Sequence, residues 1–170
     1  MNGEADLSQF PAAETKHLRL AVLDPADAEE LRALTDDPRI TDAVSFLASP
    51  FSLDDARELV RFGRGSRDRL LGMRRKSDGA LVGVFGVHLK GGDAVEIGYW
   101  VGVAHQGQGY ATEAAIGIAA LLTKLFPERR IIAECVPDNA ASWAVLTKAG
   151  FVASGIDGER PGREQLVLLR

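Results

Sequence analysis

Residues 95–114, VEIGYWVGVAHQGQGYATEA, decide how this chain folds. They read as a strand, a glycine-bearing turn and the start of a helix rich in small residues. Gly107 and Gly109 stand where the strand hands over to the helix. Glycine permits positive φ and lets another atom approach the backbone without meeting a Cβ. A helix N-terminus presents N–H groups that lack helical acceptors, at the positive end of the macrodipole. Together these suit an anion, a pyrophosphate above all. Ala111 keeps the first turn narrow, and Thr112 adds a hydroxyl. The same glycines would equally serve an ordinary loop that needs them only for geometry.

Working outward, residues 17–23 (HLRLAVL) alternate as a strand. Asp24 then caps a helix that starts at Pro25 and carries Leu31 and Leu34. Ser52, Asp54 and Asp55 open a second helix with Leu59 and Phe62 on its apolar side. Residues 36–51 between them read as irregular. Strands at 70–74 and 80–89 flank a Ser77-Asp78-Gly79 turn, and Gly91-Gly92-Asp93 leads into a strand at 94–101. That is an antiparallel meander. Ala111, Ala115, Ile118, Leu122 and Leu125 then form one helical stripe. A strand at 130–136, a helix at 139–149 closed by Gly150, and a hairpin of 151–154 with 164–169 complete the chain. Residues 1–13 read as a flexible N-terminal tail and residues 14–170 as a single domain.

With 170 residues, 46% of them hydrophobic, the chain suffices for one soluble domain with a sizeable core. A net charge of −4 argues against general nucleic-acid binding. The lone cysteine, Cys135, excludes an internal disulfide and a cysteine-rich zinc site, and no metal set is expected. No secretory leader or membrane span is read, so a cytoplasmic protein is expected.

Phosphate-binding motifs can be compared directly. A Walker loop fails because no Lys-Ser/Thr follows the glycines. A Rossmann fingerprint puts Thr112 where a small third residue belongs, and lies too late in the chain for a doubly wound sheet. Gln106-Gly107-Gln108-Gly109-Tyr110-Ala111 instead resembles the Gln/Arg-x-x-Gly-x-Gly/Ala motif of the GNAT superfamily of N-acetyltransferases. Residues 139–151 (NAASWAVLTKAGF) resemble its second motif, in the Asn-x-x-Ser…Lys-x-Gly-Phe form of the RimJ/RimL-like branch. Residues 14–20 and the Glu-Ile-Gly-Tyr-Trp strand are similar to that branch as well. The resemblance runs from about residue 14 to the end.

This resemblance implies an α/β (α+β) fold. Its central sheet is mixed, mostly antiparallel and splayed after its fourth strand, with about four flanking helices and acetyl-CoA in the opening. The backbone of Gln106, Gly107, Gln108, Gly109, Tyr110 and Ala111 would hold the pyrophosphate, with Thr112 in support. Val101 and Val103 would offer main-chain groups to the pantetheine arm, and Asn139 would reach the cofactor. The implied reaction is acetyl transfer to an amine, from a protein N-terminus or a small molecule. A non-catalytic acyl-CoA-binding module of the same fold is the alternative.

Acyl transfer to an amine needs a group to take the amine's proton and, for the departing thiolate, an acid. Glu96 is the expected base, on the strand that leads to the glycine turn, and His88 is a weaker one. In a strand Glu96, Gly98 and Trp100 share one face, and Val95, Ile97, Tyr99 and Val101 form the core face. Ser142 is the candidate acid, three residues from Asn139 and so on the same helix face; Asn139 is equally an N-cap. Many members of the superfamily carry a tyrosine acid in this helix, and this sequence has none there. Cys135 reads as a buried small hydrophobe. His105 reads as an exposed loop residue. Arg61, Arg64, Arg67, Arg69, Arg74 and Arg75 read as a solvated surface, and Trp100 and Trp143 as core or pocket wall. Acceptor choice is expected to lie within residues 36–62. The expected partners are acetyl-CoA and an amine acceptor, without nucleic acid or membrane, in a monomer or homodimer.

Overall fold

The computed structural model describes residues 5–170. One eight-stranded sheet has the order β1-β2-β3-β4-β5-β6-β8-β7. Its strands are β1 (Ala13–Glu14), β2 (Leu18–Val22), β3 (Asp68–Arg75), β4 (Leu81–Lys90), β5 (Ala94–Val101), β6 (Arg130–Cys135), β7 (Phe151–Asp157) and β8 (Glu164–Leu168). Every pairing is antiparallel except β5 with β6, which is parallel. The helices are α1 (Ala28–Thr35), α2 (Pro38–Thr41), α3 (Leu53–Phe62), α4 (Tyr110–Leu125) and α5 (Ala140–Lys148).

Local chemistry fixes the starts of these helices. Asp24 forms a capping box with Asp27 over a 3-10 turn that leads into α1, and Ser52 forms one with Asp55 at α3. Gly150, at φ 97°, follows the end of α5. The segment expected to be irregular contains α2, a single turn capped by the Asp37 side chain. The tail reading also meets a correction: Leu7 is fully buried, and its carbonyl accepts from the buried Arg69 Nε at 2.6 Å. Leu7 and Phe10 are too few apolar residues in this polar stretch to give a periodic signal, so the burial of Leu7 was not legible.

Two hydrophobic cores lie on opposite faces of the sheet. Val95, Ile97, Phe85 and Val87 pack with Ala115 and Ile118 of α4 and Leu146 of α5. Leu70, Val84 and Trp100 pack with Leu31 of α1 and Leu59 of α3. Glu96, Gly98 and Trp100 share a face as expected. That face is covered too: Trp100 is buried and donates to Thr35 Oγ1 at 3.1 Å. Met73 pairs with Gly83 but Arg74 with Leu81, so Val82 is the extra residue of a bulge. The bulge lets Val82 and Phe85 reach one core while Leu81 and Val84 reach the other.

The parallel ladder sets the position of the site. It runs from Ala94↔Arg130 to Ile97↔Ala133 and stops, although β5 continues to Val101 and β6 to Cys135. Beyond that point β5 stays with β4, out to Gly83↔Val101, and β6 stays with β8, out to Cys135↔Glu164. The sheet therefore splays after the fourth strand of the sequence reading, which is β5 once the two-residue β1 is counted.

Candidate active site

A cleft of about 720 Å³ occupies the splay. Its two ends lie on opposite faces of the sheet. One is built by the last turn of β5, the loop into α4, and α5. Here Gly107 and Gly109 adopt φ 74° and 83°. The first helical bond of α4 runs from Glu113 N to Gly109 O, so the N–H groups of Tyr110, Ala111 and Thr112 lie ahead of the ladder. An added Cβ at Gly107 or Gly109 would meet no atom within 4 Å. The backbone is left bare toward open space, as an approaching phosphate requires.

Asn139 caps α5 by accepting from Ser142 N at 3.1 Å, and both residues line the cleft. The Ser142 hydroxyl lies 3.0 Å from the hydroxyl of Tyr99 on β5. Tyr99 is stacked on Phe85, with ring centroids 5.7 Å apart. Burial pushes its phenol up to about 12, against a smaller lowering by the bond to Ser142. Tyr99 is therefore a neutral O–H at ordinary pH. Sequence reasoning counted this residue as core, where it does pack, and did not foresee its contact with Ser142. A tyrosine hydroxyl thus stands on β5, facing Ser142 of α5.

The other end opens on the face that carries α1 to α3. Glu96 is buried there, and its carboxylate accepts from Arg160 Nη2 and lies 3.6 Å from Lys90 Nζ. Arg160 comes from the β7–β8 connection and also donates from Nε to Glu134 Oε2 at 2.7 Å. The Glu134 carboxylate accepts from the backbone N–H groups of Glu159 and Arg160 as well. Burial works to raise the Glu134 carboxyl, but these hydrogen bonds outweigh it, and the net direction is downward. Glu96, Glu134 and Glu159 bring carboxylate oxygens within 4.8 Å of one another. Arg160 and Lys90 already supply the positive charge between them. Arg39, Ala43, Val44 and Phe46 line the same end, inside the stretch expected to choose the acceptor. Arg163 Nη2 donates to Ala43 O at 3.3 Å and ties that wall to the β7–β8 connection.

A family model described as the acetyltransferase (GNAT) domain matches residues 17–152. The chain belongs to the GNAT acetyltransferase family. It is 30% identical over 156 residues to YdaF of Bacillus subtilis, a candidate ribosomal N-acetyltransferase, covering 86% of this chain and 84% of that protein. It is 31% identical over 111 residues to the B. subtilis N-acetyltransferase YnaD, 62% of each chain, so this match spans just under two thirds of that relative. The ribosomal-protein-serine acetyltransferase of Escherichia coli matches at 35% over 60 residues, about a third of each chain. Among solved structures, the microcin C7 self-immunity acetyltransferase MccE, in complex with acetyl-CoA and AMP, superposes with a TM-score of 0.80 at 20% identity. That superposition covers 97% of this chain and all of MccE. RimL in complex with coenzyme A gives 0.79 at 18%, covering 92% and 96%. This acetyltransferase falls on the RimJ/RimL-like side of the family.

Against the acetyltransferase fold, the sequence-derived site residues sort as follows. Glu96, Ser142, Asn139, Val101, Gln106, Gly107, Gly109, Tyr110, Ala111 and Thr112 all border the one cleft. Val103 and Gln108 do not. Val103 packs on the α1–α3 core, and the Gln108 side chain turns back to Ala104 O at 3.5 Å. Val101 O accepts from Gln106 Nε2 at 3.1 Å, which uses one of its two lone pairs. Glu96 also departs from the expected free base, because two cations engage its carboxylate. Cys135 is buried on the cleft wall, and burial pushes its thiol up, as befits an inert hydrophobe. The central arginines take structural partners. Arg64 donates to Leu23 O, Arg69 to Leu7 O, Arg74 to Asp27 and Glu30, and Arg75 to Asp78.

Proposed function

We propose that this chain transfers the acetyl group of acetyl-CoA to a primary amine by direct attack of the amine on the thioester. The carrying observation is the splay between β5 and β6. Its α4–α5 side offers bare, positive-φ backbone and unpartnered helix N–H groups for a pyrophosphate. Its other side is lined by Arg39, His88, Glu96 and Arg160 together with the apolar Ala43, Val44 and Phe46. A thioester threaded between the strands would meet the acceptor from the opposite face.

Gly107, Gly109 and the first turn of α4 hold the pyrophosphate in this reading. Asn139 orients the start of α5 beside the cofactor. Ser142 and Tyr99 form the acid side: the Tyr99 proton reaches the departing thiolate through the Ser142 hydroxyl, which needs no titratable group near neutrality. Glu96 belongs to the acceptor side, where its carboxylate holds Arg160 across the floor. The test is turnover against protein N-terminal peptides, polyamines, amino acids and aminoglycosides, followed by CoA thiol release. Amine-dependent release with mono-acetylated product supports the reading. Tight acetyl-CoA binding without transfer to any of these classes would leave a non-catalytic acyl-CoA module.

A further inference from the structure

We propose that His88, held by Asp68, is the catalytic base that takes the acceptor amine's proton; the assignment rests on the acetyl-transfer reading. The sheet register carries the argument. Asp68 on β3 pairs with His88 on β4, and His88 pairs with Glu96 on β5. The three side chains therefore form a row across adjacent strands on the acceptor face. His88 Nδ1 lies 2.8 Å from Asp68 Oδ1. A carboxylate only accepts, so Nδ1 carries the proton in the neutral ring and Nε2 is left as a lone-pair acceptor.

The direction of Nε2 follows from the glycines. A Cβ built on Gly86 would sit 2.6 Å from His88 Nε2, so the ring leans back over Gly86. Gly86 pairs with Gly98, and a Cβ on Gly98 would meet nothing within 4 Å. The ring edge that carries Nε2 fills the space over Gly86, and the open space over Gly98 lies beside it on the neighbouring strand. Gly86, His88 and Gly98 all line the cleft. Phe62 of α3 lies against the ring, with centroids 6.3 Å apart. The charged groups around the imidazole are thus Asp68 from β3 and Glu96 from β5 with its partners Lys90 and Arg160. Glu96 is spent on those two cations, whereas the imidazole is held by the Asp68 carboxylate that orients it.

The step balances as follows. The acceptor arrives as an ammonium, since α-amines and lysine amines have pKa values of roughly 8 and 10.4. His88 Nε2 takes one proton, and the freed lone pair forms the C–N bond. The C–S bond breaks, and the thiolate takes a proton from Tyr99 through Ser142. The second N–H proton of the former amine restores the Tyr99 hydroxyl through water. His88 passes its proton to solvent, so one proton is released per acetyl group transferred.

The test compares His88→Gln, Asp68→Asn and Glu96→Gln with the wild-type chain. Acetyl-CoA affinity, kcat, KM for the acceptor and the pH–rate profile are measured for each. The expected result for His88→Gln is a kcat lower by roughly a hundredfold or more, no acidic limb, and unchanged acetyl-CoA affinity. Asp68→Asn lowers kcat by about tenfold and, in nitrogen-15 spectra of the imidazole, moves the ring away from the Nδ1–H tautomer. Glu96→Gln raises KM but keeps the acidic limb. Wild-type kcat and an intact acidic limb in His88→Gln, or loss of that limb in Glu96→Gln alone, would overturn the assignment while leaving acetyl transfer standing. A wild-type chain that binds acetyl-CoA but acetylates no amine would overturn both.

Discussion

Replacing Gly109 with alanine separates the anion-binding role of the α4 entrance from its role in the fold. Gly109 has φ 83°, and an alanine Cβ there would touch no protein atom. The folding cost is therefore conformational alone, about 1–2 kcal/mol for an L-residue in the left-handed region. At this chain length that amounts to a fall in Tm of roughly 2–8 °C. In the proposed reading the Cβ enters the open space from which a phosphate oxygen approaches the N–H groups of α4. Loss of one charge-assisted hydrogen bond is worth about 1.5–3 kcal/mol, or roughly a 10- to 150-fold weaker Kd. Gly92 supplies the control. It sits at φ 66° in the β4–β5 turn, a Cβ there also meets nothing, and it does not line the cleft. Gly92→Ala should cost similar stability with no change in affinity. Calorimetry with acetyl-CoA and thermal unfolding on both variants decide the matter. Equal affinity in the folded Gly109→Ala and Gly92→Ala proteins would refute the reasoning.

The proton-donor side makes a second prediction: Tyr99→Phe and Ser142→Ala each lower kcat roughly tenfold or more with acetyl-CoA affinity retained, and the double variant loses little further because the two act as one unit. Additive losses in kcat would break that pairing. A third concerns alkaline stability. The Tyr99 phenol stands at about 12 in the fold, above its ordinary value of 10.0. Its stabilising contribution is complete below pH 10 and is lost as pH rises from 10 to about 12. Chemical denaturation across that window should show a loss that Tyr99→Phe reduces. The fourth concerns Gly98, whose missing Cβ leaves open space on the acceptor face. Gly98→Ala should keep stability within about 1 kcal/mol of wild type while raising acceptor KM and sparing acetyl-CoA affinity. A change confined to the cofactor would contradict the division of the cleft.

Much of this arrangement could be read from short-range pattern. The glycine turn, the capping residues Asp24 and Ser52, and the alternation of residues 95–101 are each local, and each appears in the structure. Contacts that depend on how elements meet were not legible. Tyr99 and Ser142 are 43 residues apart and Glu96 and Arg160 are 64 apart, and only the splay and the β7–β8 connection bring them together. The Asp68–His88–Glu96 row is intermediate. Its half from β4 to β5 follows from the Gly91-Gly92-Asp93 turn, whose short length sets His88 opposite Glu96. The ring direction required the contact at Gly86. Phe62 misled in the opposite sense: its helical spacing suggested a core position, but it is half exposed and faces His88.

Direct attack inside the splayed cleft is tested most directly by rapid quenching of the wild-type chain with acetyl-labelled CoA, with and without an acceptor amine. The account predicts that label passes to the amine only when both substrates are present. No label should reside on the protein, because Cys135 is buried with its thiol pushed up. Labelled protein formed without amine, at Cys135 or elsewhere, and then discharged to the amine would contradict it.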